Sequence, residues 1–396
     1  MMRNARYFAC VCFALAACGD NQHQAAPDAA PPAPDAPTGF VEGTHADVPQ
    51  VQSGGGPVLA TPKVQPIFYT GDDSAQATLE DMLTQMSTSS YWTAISTEYG
   101  VGALTVLPTI VSTDTPPATD DDLSAWVDAQ FPAADPNTIY TVFLPEGVTL
   151  TQGNSASCTS FAGYHSETNN GAVYALVPRC HSSVFTGPLD VVTFATSHEL
   201  LEASTDPHPF TDPAYTEIDE EHSAWGRTPG AELGDMCEYV DAAFQPLVSN
   251  YLVQRTWSNV SAAAGHDPCV PAMPTPYLGV SPNLPDLTIT SHGGQQIMTK
   301  GVVANLNQPI QLEVDLFTDA PMSDQYPIQV YDSAQYSGGT SSFRFTWDKY
   351  FGTNGDKLTL TLTRTTAGTM RPNEIVFFAQ NNDQSVSQWW AYVAGQ

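Results

Sequence analysis

Thr196-Ser197-His198-Glu199-Leu200-Leu201-Glu202 places an imidazole and two carboxylates within five consecutive residues, and Gly230-Ala231-Glu232-Leu233-Gly234-Asp235 adds two further carboxylates downstream. On a helix, His198 and Glu202 stand one turn apart on one face. A His and a carboxylate at that spacing can grip one metal ion, and Glu232 or Asp235 can supply a third ligand. Glu199 sits where the His-Glu-x-x-His motif keeps its general base, the group that takes a proton from metal-bound water. One position departs from that motif: the second helical ligand is Glu202 and not His. The expectation is a metal site held by His198, Glu202, Glu232 and Asp235, with Glu199 as the catalytic residue of a hydrolase.

The charge around these residues argues for a cation. From Cys180 to Gly226 there are nine carboxylates and no Lys or Arg. Glu199 and Glu202 repel each other on a helix, more so if buried, and Asp206 adds to the repulsion. A divalent ion reverses that sign and lowers the pKa of its bound water toward about 7. His198 favours zinc; an acidic, oxygen-rich site with a structural role would instead suit calcium. The plain alternative is an acidic helix face in water.

Other residues carry weaker signals. His165, in Gly163-Tyr164-His165, can reach the site as a ligand, although it reads more simply as a structural His. Trp225 and Trp257 read as core aromatics. Asp219-Glu220-Glu221-His222 reads as a solvated loop. Ser160 and Ser197 have no spacing that suggests a catalytic triad.

The elements that must position the site follow from apolar patterning. Val64-Gln65-Pro66-Ile67-Phe68-Tyr69 reads as a strand, residues 75–98 as a helix, and Thr105 to Val111 as a strand broken at Pro108. A short helix is expected over 121–131, and buried strands over 139–144 and 172–177. The site helix spans about 190–204. Alternating helices and strands predict a mixed α/β domain over residues 62–272. Pro271, Pro274 and Pro276 mark a boundary. Beyond it, alternating runs such as Leu287–Thr290, Ile310–Val314, Ile328–Val330, Phe343–Phe345, Leu358–Leu362 and Glu374–Phe378 predict an all-β sandwich over 275–396.

The start of the chain reads as an export signal over residues 1–17, with Arg3 and Arg6 before an apolar stretch too short to span a membrane. It ends in Leu15-Ala16-Ala17-Cys18, which resembles a bacterial lipobox. That resemblance implies a lipid on Cys18 as the sole membrane anchor, at the outer membrane or cell surface. Residues 18–61, rich in Pro and Ala, are expected to be a disordered tether. Cys158, Cys180, Cys237 and Cys269 remain after the signal region. An even number in an exported chain predicts two disulfides, with sequence-near pairing of 158 with 180 and 237 with 269.

Removing Arg3 and Arg6 from the 12 Lys and Arg leaves 10 against 42 Asp and Glu. Such a surface repels nucleic acid and anionic lipid, so no nucleic-acid partner is expected.

Ser197-His198-Glu199-Leu200-Leu201-Glu202-Ala203-Ser204-Thr205-Asp206-Pro207, Glu232-Leu233-Gly234-Asp235-Met236-Cys237-Glu238, and Tyr251-Leu252-Val253-Gln254 with Trp257-Ser258 together resemble the phosphate-induced, EXORDIUM-like secreted proteins and their bacterial relatives. Pro66-Ile67-Phe68-Tyr69 and Phe161-Ala162-Gly163-Tyr164-His165 agree in order. The resemblance covers about residues 62–272. It implies an extracellular, cell-wall-associated protein and points to the same ligands, His198, Glu202 and Glu232 or Asp235, with Glu199 as base. The chain departs from it at Asp206, where plant members tend to carry Asn, and lacks their Gly-rich segment after the Cys. The readings that result are a zinc-dependent hydrolase, specifically a metallopeptidase acting on peptide or a cell-surface polymer, or a non-catalytic binding protein with a structural cation and a ligand-binding sandwich.

Overall fold

The computed structural model describes residues 39–395, apart from 228–229, 291–293, 337 and 369–370. The expected signal peptide, Cys18 and the tether as far as residue 38 lie outside the described residues. After a short strand β1 (Val51–Ser53) come β2 (Lys63–Tyr69), β3 (Thr105–Val106), β4 (Ile110–Ser112) and β5 (Thr138–Phe143). A small hairpin of β6 (Thr151–Gln152) and β7 (Ser155–Ala156) precedes β8 (Tyr164–Glu167) and β9 (Val173–Val177). The central sheet runs β3-β2-β5-β9-β8, with β4 also on β2. Its pairings are parallel except that of β8 with β9.

Strands covered on both faces read as continuous apolar runs, which is why 139–144 and 172–177 show no alternation. Successive side chains still face opposite ways. Val64, Phe68, Ile139, Phe143, Val173 and Ala175 pack against Leu79, Met82, Leu83 and Met86 of helix α1 (Asp73–Thr88). The same layer holds α2 (Ser90–Ser96) and the site helix, while α3 (Asp120–Gln130) sends Leu123 and Val127 to the opposite face, onto Ile67, Val142, Tyr174 and Leu176. The single helix expected over 75–98 is two, because Ser89 leaves the helical region (φ −85°, ψ 154°) and its hydroxyl donates to the Met86 carbonyl. Thr119 caps α3 by accepting from the Asp122 amide, and three aspartates occupy its first turn.

Helix α4 (Asp190–Thr205) is followed by β10 (Tyr215–Ile218), α5 (Asp235–Glu238), a hairpin of β11 (Phe244–Val248) and β12 (Tyr251–Gln254), then β13 (Thr256–Trp257), α6 (Asn259–Ala263) and β14 (Cys269–Val270).

Among the described residues the rest of the chain is built mainly of strands. It contains β15 (Leu278–Pro282), β16 (Asp286–Thr290), β17 (Gln296–Val303), β18 (Pro309–Thr318), β19 (Tyr326–Asp332), β20 (Phe343–Trp347), β21 (Phe351–Gly352), β22 (Lys357–Arg364), β23 (Asn373–Asn381) and β24 (Gln384–Ala394). One sheet is β15-β18-β22-β20 and the other β16-β17-β24-β23-β19-β21. Alternating Leu358, Leu360 and Leu362 on β22 meet Val376 and Trp390 in one buried cluster, as a sandwich requires. That cluster continues into the first region through Trp225, Met236 and Trp257. Gln388 Nε2 donates to the Met236 carbonyl at 2.6 Å, and Arg227 pairs with Glu374 at 3.3 Å.

The expectation of a tether over 18–61 is corrected for residues 39–61. β1 pairs antiparallel with β10. The Gly43 amide donates to Asn354 Oδ1 and the Ala46 amide to Ser281 Oγ. The physical reason is in the composition: Val51 and Leu59 supply apolar side chains that the Pro/Ala-rich stretch before them lacks, and both are buried. This segment is a strap across both regions. Among the described residues no helix is long and apolar enough to cross a membrane.

Candidate metal centre

Helix α4 has almost no polar face: from Val191 to Thr205 every residue but Phe194 is buried. It lies between the sheet, on β8 and β9, and the β11–β12 hairpin. Its His198, Glu199 and Glu202 are exposed by 0%, 1% and 3%. The solvated acidic helix is therefore excluded, and these charges need partners inside the protein.

His198 is oriented by Gln254, the last residue of β12. Gln254 Nε2 donates to the Gly234 carbonyl at 2.6 Å, so its Oε1 is the atom facing His198 Nδ1 at 2.9 Å. Nδ1 therefore carries the proton, and Nε2 turns its other valence toward Glu202 Oε2 at 3.0 Å and Asp235 Oδ1 at 3.7 Å. This is the arrangement by which an outer partner presents a ring nitrogen to a metal. Glu202 is held from the other side. Its Oε1 accepts the Gly234 and Asp235 amides at 3.0 and 3.1 Å, leaving Oε2 for the centre. Gly234 is required here because a Cβ would stand 2.7 Å from both Glu202 Oε1 and His198 Nδ1.

The histidine missing from the helical motif arrives through space. His165, on β8, is 3% exposed. Its Nδ1 lies 3.7 Å from Glu199 Oε2 and 3.8 Å from Glu202 Oε2, and its Nε2 3.4 Å from Glu232 Oε1. Nε2 also lies 3.1 Å from the Asp206 carbonyl. Gly163 makes room for this approach, since a Cβ there would meet Glu199 Oε1 at 2.8 Å. Three sets of donor atoms lie close enough to share an ion: His198, Glu202 and Asp235; His165, Glu199 and Glu202; and His165, Asp206 and Glu232.

The electrostatics are those of an unbalanced interior. Burial, then the carboxylates of Glu202, Asp206, Asp235 and Glu199, push Glu232 well above the usual carboxylate range. Burial and then Glu202 do the same to Asp235. Burial raises Glu199 and Asp206, and pushes Glu238 up to about 7. Burial pulls His198 down, but Glu202, Glu199 and Asp235 together outweigh it and hold it well above the ordinary imidazole value. Glu202 alone is lowered, because His198, His165 and the Asp235 amide outweigh its burial. Glu199 Oε1, Asp206 Oδ2 and Glu232 Oε1 are buried without a hydrogen-bond partner. Oxygens in that condition call for a positive ion or a proton.

Of the residues singled out in the sequence, His198, Glu199, Glu202, Glu232 and Asp235 converge, and Asp206 and His165 join them. Gln254 has no chemistry-bearing pattern of its own; only its place in Tyr251-Leu252-Val253-Gln254 marked it. Disulfides join Cys158 to Cys180 and Cys237 to Cys269, as the sequence-near pairing predicts. The second holds α5, which carries Asp235, to β14; the first ties the approach to β8 to the segment after β9. Trp225 and Trp257 are core, with ring centroids 5.5 Å apart. In the Asp219–His222 loop, His222 is buried and bonded to Asp219, while Glu220 and Glu221 face solvent.

No family profile matches the chain, and no curated protein matches it. Among solved structures, the surface layer protein SbsC, domains 1–6, is similar over 31% of this chain and 14% of that chain, at 13% identity and a TM-score of 0.20. A structure of domains 4 and 5 of the S-layer protein SbsC covers 30% of this chain and 70% of that chain, at 10% identity and a TM-score of 0.18.

Proposed function

We propose that the chain is an exported, metal-dependent hydrolase whose first region is built around a zinc ion held by His198, Glu202 and Asp235, with Glu199 as general base. The observation that carries this reading is the direction of His198. Gln254 occupies one ring nitrogen, and the other faces two buried carboxylates. A ring nitrogen and two carboxylate oxygens form a donor set that suits zinc.

When bound, such an ion supplies a water whose pKa falls toward about 7. The protein supplies the rest. Gln254 fixes the imidazole, and the Gly234 and Asp235 amides fix Glu202. Glu199 stands next to the triad with an oxygen that has no hydrogen-bond partner, as a base that must take up a proton requires. Two disulfides and the export pattern support an extracellular or cell-surface setting, with lipid on Cys18 as the anchor. The substrate class that the helix pattern favours is peptide, or another cell-surface polymer. The ordered motifs support membership of the EXORDIUM-like group.

Metal analysis and a peptide-hydrolysis screen on the purified protein test this. His198→Ala should lose the metal, and Glu199→Gln should keep it while turnover falls by two orders of magnitude or more, on the order expected of a general base. One observation favours a second reading, a structural cation in a non-catalytic surface protein: no residue of the centre is more than 7% exposed. Bound calcium, with Glu199→Gln indistinguishable from wild type in every assay, would establish that reading instead.

A further inference from the structure

We propose that the centre is binuclear, with a second divalent cation seated by His165, Asp206 and Glu232. This rests on the metal-centre reading above and extends it. The His165–Asp206–Glu232 triad shares no residue with the His198–Glu202–Asp235 triad, so the two ions do not compete for a ligand. Each side chain is at least nine-tenths buried. Glu232 Oε1 and Asp206 Oδ2 are both without a hydrogen-bond partner. The other oxygen of Asp206 accepts the Ala214 amide at 2.6 Å, which fixes the carboxylate and leaves Oδ2 to the triad.

Charge balance points the same way. Glu199, Glu202, Asp206, Glu232 and Asp235 bring five buried carboxylates against two imidazoles. With neutral imidazoles, one dication leaves three negative charges uncompensated, and a second leaves one. No Lys or Arg is ion-paired to any of the five among the described residues, where the ion pairs they make are with His165 and His198. His165 Nε2 lies 3.4 Å from Glu232 Oε1 and 3.1 Å from the Asp206 carbonyl; an ion there replaces the proton that the carbonyl accepts in its absence and puts the ring proton on Nδ1, turned toward Glu199. Glu199 then stands as the outer partner of the second site, while Glu202 Oε2 stays with the first.

The test is zinc stoichiometry on the full chain, by elemental analysis after dialysis against a metal-buffered solution and by calorimetric titration of the metal-free protein. Two ions per chain in wild type, one in Glu232→Gln and one in Asp206→Asn is the expected result. One ion in wild type, unchanged in Glu232→Gln, overturns the second site and leaves the first intact. No ion in wild type overturns both. Because a variant can fail to fold, the wild-type stoichiometry decides first. Cobalt titration of the metal-free protein then gives an independent reading: a ligand-field absorbance that saturates at two equivalents in wild type supports the pair, and saturation at one equivalent refutes it.

Discussion

Two of the places where the molecule buries charge resolve it in opposite ways. In the sandwich, Arg364 is 1% exposed, yet its Nε donates to the Ala304 carbonyl, Nη1 to Asn373 Oδ1 and Nη2 to the Val393 carbonyl, all within 3.0 Å. Its guanidinium also lies over the Phe343 ring at 4.8 Å. A planar fork matched to fixed carbonyls needs nothing from outside. Around α4 the sign is reversed and the account stays open: carboxylates converge, and oxygens of Glu199, Asp206 and Glu232 find no donor. Around Arg364 the chain satisfies the charge with its own groups, whereas the centre keeps buried carboxylate oxygens that a bound cation would satisfy.

The largest effect that could break this contrast is chelation. Stripping divalent ions near neutral pH should lower the calorimetric melting temperature of the α4 region by roughly 10 °C, the equivalent of a few kcal/mol of lost ligand binding. A melt unchanged by chelator would remove the difference between the two places. Next, Arg364→Ala should cost about 3 kcal/mol in denaturant unfolding, because it strands buried carbonyls, while metal content stays at the wild-type value. Loss of metal in that variant would show that the regions are not separable in this way. Gln254→Ala should weaken metal affinity by about 10- to 100-fold without abolishing it, since it frees the His198 ring rather than deleting a ligand. Wild-type affinity in a competition titration would remove Gln254 from the centre.

The dependence on pH is the most diagnostic in sign. In the metal-free protein, Glu199, Glu232, Asp235 and His198 all hold protons to higher pH than in an unfolded chain. The native state then binds more protons, so metal-free stability should fall as pH rises from the ordinary carboxylate range through neutrality, by up to about 1.4 kcal/mol per pH unit for each proton. Glu202, lowered, contributes with the opposite sign and only in more acidic solution. The metal-loaded protein should show the reverse trend and lose its ion on acidification. Parallel stability curves with and without metal would contradict the electrostatic account.

Much of this was legible in the residues. Lengths and periods placed β2, α3, β5, β9 and α4 within a residue or two, because the strands and α4 are long apolar runs bounded by turn chemistry and α3 opens on acids in its first turn. The break at Ser89 was not, since the apolar spacing continues across it. Strand β24 was missed because Ser385, Trp389 and Trp390 are buried without the alternation that marks a half-exposed strand. At the centre, His198, Glu199 and Glu202 on the helix and the Glu232–Asp235 pair announce themselves by spacing. His165 does not: it comes from a different strand, and only the sheet order, with β8 antiparallel on β9, brings it over α4. Gln254 is a neutral residue whose meaning exists only once His198 is beside it.

The strap over residues 39–61 bears on the order of assembly. The bond from the Gly43 amide to Asn354 closes over 311 residues of chain. Loop closure of that length is slow relative to local contacts. A chain is made from its amino end, so β1 can meet β10 early, while Gly43 waits for Asn354. The strap closes in two stages, and its outer end is the last part of it to be fastened.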